Sequence, residues 1–431
     1  MRTEASTTDT ELNLSRPTYR YYPWLIVLLS AMFLFYKYIM QVSPSIMTYQ
    51  LMRDFKIDGV GLGNLAATFF YTYFITQLFV GVLLDKISPR FLSGAAILTS
   101  ALGTYFFSFA DSIVFACLAR GLMGFGAAFA TVSYMKLTAN WFKPHQFAFI
   151  GGLLATAAML GAAFGQAPLA WLVNQTGWRH GLVICAWFGI SIALLFFVIV
   201  RDHPKTEQFL CSKKEQSYVA WHDIVKIFQN KQNWLLTAYN GLAFTPVIVF
   251  GGLWGNPFLM QAYHLSETKT ATVVSMVFFG LALGGPALGF LSDRLQVRRQ
   301  VMITGAFLAL ITATLVIYLN IFPTWIVGCL LFLFGFGTGA FMLGFAIGKE
   351  INPIAVSATI IALINTGDGV FGSFTEPLIG KFLDLGWDGR IVNGVHHFSV
   401  SNYHHAFIIL PIYLLAAIVT VFYIKENTQR R

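Results

Sequence analysis

Apolar runs of about 20 residues, separated by short polar stretches, recur along nearly the whole chain, and a helical run of that length matches the hydrocarbon thickness of a bilayer. The first half holds six runs, at roughly 23–45, 61–84, 91–110, 113–138, 147–173 and 181–200. A polar stretch from Arg201 to Gln232 follows. Six further runs come after it, at roughly 233–256, 270–291, 301–320, 324–348, 355–383 and 404–424. The pattern predicts an all-α integral membrane protein with twelve transmembrane helices in two pseudo-symmetric six-helix bundles. The expected units are a tail over 1–22, a first bundle over 23–200, a linker over 201–232, a second bundle over 233–424 and a tail over 425–431.

Composition agrees with that pattern. Hydrophobic residues make up 56% of the 431 and charged residues 11%, with a mean hydropathy of +0.66. Soluble domains carry roughly 25% charged residues. A net charge of +9 raises nucleic acid as a partner. The bases form no stripe, however, and sit in short loops between apolar runs, so nucleic acid is excluded. With the N-terminus inside, 20 Lys and Arg fall on the inner side and six on the outer, while Lys37 and Arg120 lie within helices. That bias places both termini and the linker in the cytoplasm. The N-terminal stretch is polar to Arg20 and lacks the order of a cleavable signal peptide. The four cysteines are scattered without a Cys-x-x-Cys pair, so neither a disulfide framework nor a metal site is expected. No phosphate-binding GxxxxGK[ST] loop occurs, which argues against direct ATP driving and leaves no cofactor in view.

An internal repeat is visible. Gly81-Val-Leu-Leu-Asp85-Lys86-Ile-Ser-Pro-Arg90 follows the second run, and Gly289-Phe-Leu-Ser-Asp293-Arg294-Leu-Gln-Val-Arg298-Arg299 follows the eighth. Both read Gly-x-x-x-Asp-Lys/Arg with further bases, at the same place in each half. On these residues the chain resembles the major facilitator superfamily over essentially its whole length. The resemblance implies a secondary transporter with alternating access, in which the loop acids help latch the cytoplasmic side against a neighbouring helix N-terminus. The first copy departs from the family pattern at Pro89. Arg120-Gly121 with Gly124 and Gly126 resembles the family's helix-4 arginine motif, which implies a link to proton coupling. Gly161-x-x-x-Gly165-Gln-Ala-Pro168 resembles the antiporter motif only loosely, because its Gly-Pro pair is split, and reads as close helix packing.

Charges at bilayer depth are costly and mark function or a paired structural site. Lys37 lies near the middle of the first helix, with Tyr38 beside it and Gln41 one turn on. A central ammonium suits an anionic group, and a base near this place resembles that of organic-anion symporters in the family. Asp368 lies in the middle of the eleventh helix, with Asn365 one turn earlier, and reads as a proton carrier. Arg120 and Glu376 are the further candidates for coupling, whereas Lys136 reads as a snorkelling side chain near a helix end. Tyr73, Tyr239 and Asn240 complete the expected substrate site, because an amide in lipid must find a partner. The pairs His396-His397 and His404-His405 lie in or beside the last outer loop, with no Cys, Asp or Glu among them, and read as surface rather than as a metal site.

These features lead to the expectation of a proton-coupled importer of a small polar or anionic metabolite (an amino acid, organic acid or nucleoside). It would work as a monomer in the cell inner membrane, with a small-molecule substrate, protons and the lipid bilayer as partners. Proton-coupled movement of a siderophore or drug is the alternative transport reading, and a non-transporting receptor is a different class altogether. No nucleophile–base–acid set suggests an enzyme.

Overall fold

A computed structural model describes residues 21–142, 146–202, 226–353 and 356–425. Among them, ten helical segments are long and apolar enough to cross a membrane. Pass 1 spans Tyr22–Ile46, pass 3 Pro89–Ser108, pass 4 Ile113–Trp141, pass 5 Leu153–Thr176 and pass 6 Trp178–Ile199. Pass 7 spans Lys231–Tyr263, pass 8 Glu267–Leu295, pass 9 Arg298–Tyr318, pass 10 Thr324–Glu350 and pass 12 Val400–Tyr423. The two helices that complete the set are pass 2, Gly59–Lys86, and pass 11, Ser357–Leu385. At 28 and 29 residues each is long enough to span. The described passes thus form six in each half. Between passes 1 and 2 lies a short helix, Thr48–Phe55, and between passes 11 and 12 a two-stranded hairpin, β1 (Ile391–Val392) and β2 (Val395–His396).

Helix starts follow the local chemistry. Asp58 opens pass 2 by accepting from the Gly61 N–H at 2.8 Å, and Ser112 and Ser399 open passes 4 and 12 in the same way. Two passes run further than their apolar runs. Pass 7 continues to Tyr263 beyond Asn256, and pass 12 begins at Val400, ahead of His404. Hydropathy ends at the first polar side chains, whereas the helices are carried on by packing at the bundle end.

Several passes are broken where the functional seam lies. Pass 1 tightens into a 3₁₀ turn at Ser43–Ile46, pass 5 breaks at Gly165-Gln166 and pass 7 contains a π turn at Phe250–Trp254. Proline explains two freed carbonyls. Pro44 has no N–H to give Met40, and Pro377 has none for Ser373. Side chains supply the missing donors: Arg120 reaches the Met40 carbonyl at 2.6 Å beside the Ser43 hydroxyl at 2.9 Å, and Tyr71 reaches the Ser373 carbonyl at 3.3 Å.

The two halves meet most intimately along passes 2 and 11, which run antiparallel. At Gly380 a side-chain carbon would sit 2.1 Å from the Gly59 carbonyl oxygen, and at Gly63 it would sit 2.6 Å from the Glu376 oxygen. Only residues without side chains allow so close a crossing.

Candidate functional site

The central polar cluster lies on this seam. Lys37 of pass 1 is 4% exposed, and its ammonium sits 3.6 Å from the centre of the Tyr38 ring and 4.8 Å from that of Tyr73 in pass 2. Both distances fall within the range of cation–π attraction. Asp368 of pass 11 is the carboxylate that Lys37 feels electrostatically, yet no carboxylate lies within 4.0 Å of Lys37 among the described residues. Asn365, one turn before Asp368, and Thr131 of pass 4 lie beside the Tyr73 hydroxyl. The seam therefore brings Lys37, Tyr38, Tyr73, Asn365 and Asp368 together from both halves. Tyr38, Gln41 and Glu376 also line a small enclosed cavity with Phe70, Phe244 and Ile248.

A second charge layer lies nearer the face opposite the linker. Arg120 is 1% exposed. It donates to the Met40 carbonyl and, at 2.8 Å, to the Gln41 carbonyl, and its guanidinium lies 4.9 Å from the Phe69 ring centre. Glu376 is its electrostatic partner from the other half. Trp254 donates to the Glu376 carbonyl at 3.2 Å, which fixes the backbone there.

Several buried polar atoms have no protein partner among the described residues: Gln41 Oε1, the Tyr239 hydroxyl, both amide atoms of Asn240, Asp368 Oδ1 and Glu376 Oε2. Buried polar groups are rarely left so, and water or ligand usually completes them. Tyr239 and Asn240 stand apart from the Lys37 cluster. The Asn240 oxygen lies 2.1 Å from where a Gly344 side-chain carbon would be, so its amide faces pass 10.

The repeated loops make their described contacts within their own halves. Arg90 is tied to the end of pass 6, its N–H to Asp202 at 2.7 Å and its Nε to the Phe197 carbonyl at 2.9 Å. Arg298 pairs with Asp293 at 3.0 Å and with Glu350 at 2.7 Å. Arg294 is exposed, and Gly81 and Gly289 have open space beside them. The side chains of Asp85 and Lys86 fall outside the described residues.

On the opposite face, the far face, hydrogen bonds join the halves. Gln166, in the break of pass 5, donates to Ser45 at 2.9 Å and to the Gly251 carbonyl at 2.7 Å. Asn256 donates to Gln166 at 2.7 Å and to Ser45 at 3.1 Å. All three side chains are buried. They sit at or beside the places where passes 1, 5 and 7 lose regular helix, and the π turn of pass 7 presents the Gly251 carbonyl that this lock uses. Further out, both oxygens of Asp384 accept from the first N–H groups of pass 2, Gly59 at 2.9 Å and Val60 at 2.7 Å. A carboxylate is favoured at that positive helix end. His396 of β2 stacks on Trp387 and lies 3.5 Å from Asp384. Above this latch is a cavity of about 380 Å³, walled by Tyr49, Gln50 and Arg53 from one half and by Glu267, His396 and His397 from the other. Burial, and then the nearby Glu267, push the Tyr49 hydroxyl up to about 12, so it remains a neutral donor.

Sequence reading missed Gln166, Asn256, Ser45 and Asp384. A signal for the first two was present, since an amide inside an apolar run must find a partner. Nothing in the sequence pointed to that partner being in the other half.

Comparison with known proteins places this geometry in context. A family model described as Major Facilitator Superfamily matches residues 24–374 and 236–431. The probable galactarate/D-glucarate transporter GudP of Bacillus subtilis is 23% identical over 410 residues, covering 87% of each chain. The probable hexose phosphate transport protein of Chlamydia pneumoniae is 22% identical over 404 residues, covering 86% of this chain and 88% of that one. Among solved structures, a bacterial homologue of the human lysosomal transporter Spinster, in an inward-facing and occupied conformation, superposes with a TM-score of 0.73 at 16% identity, covering 94% of this chain and 97% of that chain. The nucleoside transporter NupG superposes with a TM-score of 0.68 at 14% identity, covering 93% of this chain and 100% of that chain.

Proposed function

Because this chain belongs to the major facilitator superfamily, we propose that it imports a small anionic or polar metabolite by proton symport with alternating access. The linker face is the cytoplasmic face, on the distribution of Lys and Arg. The structure then corresponds to a state latched on the outside. The protein works as a monomer in the inner membrane, with each half contributing one wall of the pathway.

One observation carries this reading. A buried ammonium faces a carboxylate across the seam, held between two tyrosine rings with no carboxylate within 4.0 Å among the described residues. Such an ammonium keeps its N–H donors available for an anionic group of the solute. Asp368 is the proton carrier, since a buried carboxylate that must lose its cation to a substrate is more stable neutral. Asn365, Tyr73 and Gln41 orient the solute by hydrogen bonds. The relatives, a probable galactarate/D-glucarate transporter and a probable hexose phosphate transport protein, support an anionic solute.

The test is uptake into proteoliposomes with and without an inward proton gradient. Accumulation is expected with the gradient. In Asp368→Asn, accumulation is expected to disappear while counterflow exchange persists. An Asp368→Asn protein that still accumulates solute on a proton gradient removes the assignment of Asp368.

A further inference from the structure

We infer that the transported species is a monoanion, a single carboxylate on a polar body, moved together with one proton so that the transport step carries no net charge. The inference rests on the importer reading above and concerns the same site. It follows from which buried charges have donors or acceptors left to give.

The charged side chains of the described seam form two layers, Lys37 with Asp368 and Arg120 with Glu376. Arg120 already donates through both terminal nitrogens to the Met40 and Gln41 carbonyls. Its terminal nitrogens are committed to pass 1 and cannot turn to a solute without giving up those bonds, which leaves only the inner Nε without a partner among the described residues. Among the described residues, Lys37 gives its ammonium only to ring faces. Asp368 keeps Oδ1 without a protein partner. The groups facing Asp368 are Lys37 and Tyr38 from pass 1 and Tyr73 from pass 2. Lys37 is thus the cation whose terminal donors are uncommitted, opposed by Asp368, while Arg120, with only its inner Nε unpartnered, is opposed by Glu376.

Charge balance then fixes the solute. In the empty carrier, Lys37 and Asp368 cancel. A monoanion that pairs with Lys37 displaces Asp368 as its counterion. A proton on Asp368 restores neutrality, and on the linker side the proton and the solute leave to water and the original pair re-forms. Empty and loaded carriers are both neutral at this layer, so neither half-cycle moves charge across the membrane. A dianion would bring in a second negative charge that only Arg120 could meet, through its inner Nε, and Glu376 already opposes that cation. Sugar diacids and hexose phosphates, named for the relatives, are therefore poor solutes for this chain.

The experiment uses the full chain in proteoliposomes with three labelled probes: gluconate as a monoanion, glucarate and glucose 6-phosphate as dianions. A proton gradient and a potassium-diffusion potential are imposed separately. Gluconate is expected to accumulate on the proton gradient, and a potential of either sign is expected to leave its accumulation unchanged. One uncompensated charge would shift accumulation about fifty-fold per ~100 mV. Proton-driven uptake that responds to potential by that factor overturns the inference but leaves the importer reading intact. So does uptake of glucarate or glucose 6-phosphate in preference to gluconate. Absence of uptake and of counterflow for all three probes, and for an amino acid and a nucleoside added as controls, removes the importer reading itself, and the charge assignment with it. Asp368→Asn separates folding from charge: it should exchange gluconate at any potential, whereas Lys37→Gln should lose gluconate exchange while keeping the wild-type melting temperature.

Discussion

The two buried cations of the first half, Lys37 and Arg120, are nearly equal in burial and opposite in what surrounds them. Arg120 has both terminal nitrogens committed, and only its inner Nε is without a partner among the described residues. Its fork serves two carbonyls at the end of pass 1, one of which Pro44 has left without a helical partner. Lys37 is held by aromatic faces, with its carboxylate partner beyond 4.0 Å. The contrast teaches that burial of a charge does not mark function. The mark is what the charge has left to give. An arginine with five fixed donors suits a permanent structural bond, and a lysine with rotating donors suits a contact that must be exchanged.

Substitutions can break or sharpen this comparison. The largest expected effect is on folding. Arg120→Met takes the guanidinium from two buried carbonyls, leaving Met40 only the Ser43 hydroxyl, and strips Glu376 of its cation, so it should lower stability by ~3–5 kcal/mol. Lys37→Met removes a charge that no hydrogen bond holds among the described residues, and Asp368 can take up a proton once its cation is gone, so stability should stay within about 1 kcal/mol of wild type while uptake is lost. Thermal unfolding in detergent, paired with uptake, reads both, and equal losses of melting temperature would erase the distinction. A medium effect is expected from Pro44→Ala, which gives Met40 a backbone donor again. In a double-mutant cycle with Arg120→Met it should return ~1–2 kcal/mol, and strict additivity would mean that Arg120 does not act through that carbonyl. Gly380→Ala comes next. Its methyl group would meet the Gly59 oxygen at 2.1 Å, costing ~1–3 kcal/mol in this state. Labelling of a cysteine at Ser45 by an impermeant thiol reagent should then rise, and unchanged labelling would argue against the crossing as a closure point. The smallest effect is expected at the ring faces. Tyr38→Leu should weaken apparent affinity by ~0.5–2 kcal/mol, measured as KM for uptake.

Much of the fold was legible in the sequence, because hydropathy and helix length are both local properties. The twelve runs, the repeated Gly-x-x-x-Asp loops and the midspan positions of Lys37 and Asp368 needed no knowledge of the other half. What stayed hidden depended on which half faces which. The break at Gly165-Gln166 read as packing, and Gly161 and Gly165 do lie against the backbone of pass 1. Gln166 itself became the hub of a buried lock only once Asn256 arrived from a distant pass. Asp384 drew no reading from the sequence, whereas its oxygens hold the start of pass 2. Arg120 read as a coupling residue because of its motif, and the carbonyls it serves are a consequence of Pro44 that sequence spacing does not display.

The far-face lock has a consequence for timing. Gln166, Ser45 and Asn256 are buried, so water cannot replace their bonds one at a time while the halves stay together. The outer bonds of Asp384 are less covered and can fray alone. The face therefore opens as a single event, after outer fraying and before any intermediate gap persists, on the microsecond-to-millisecond scale of collective helix motion. A carrier built this way behaves as a clock with two ticks. Between them it passes no continuous pore.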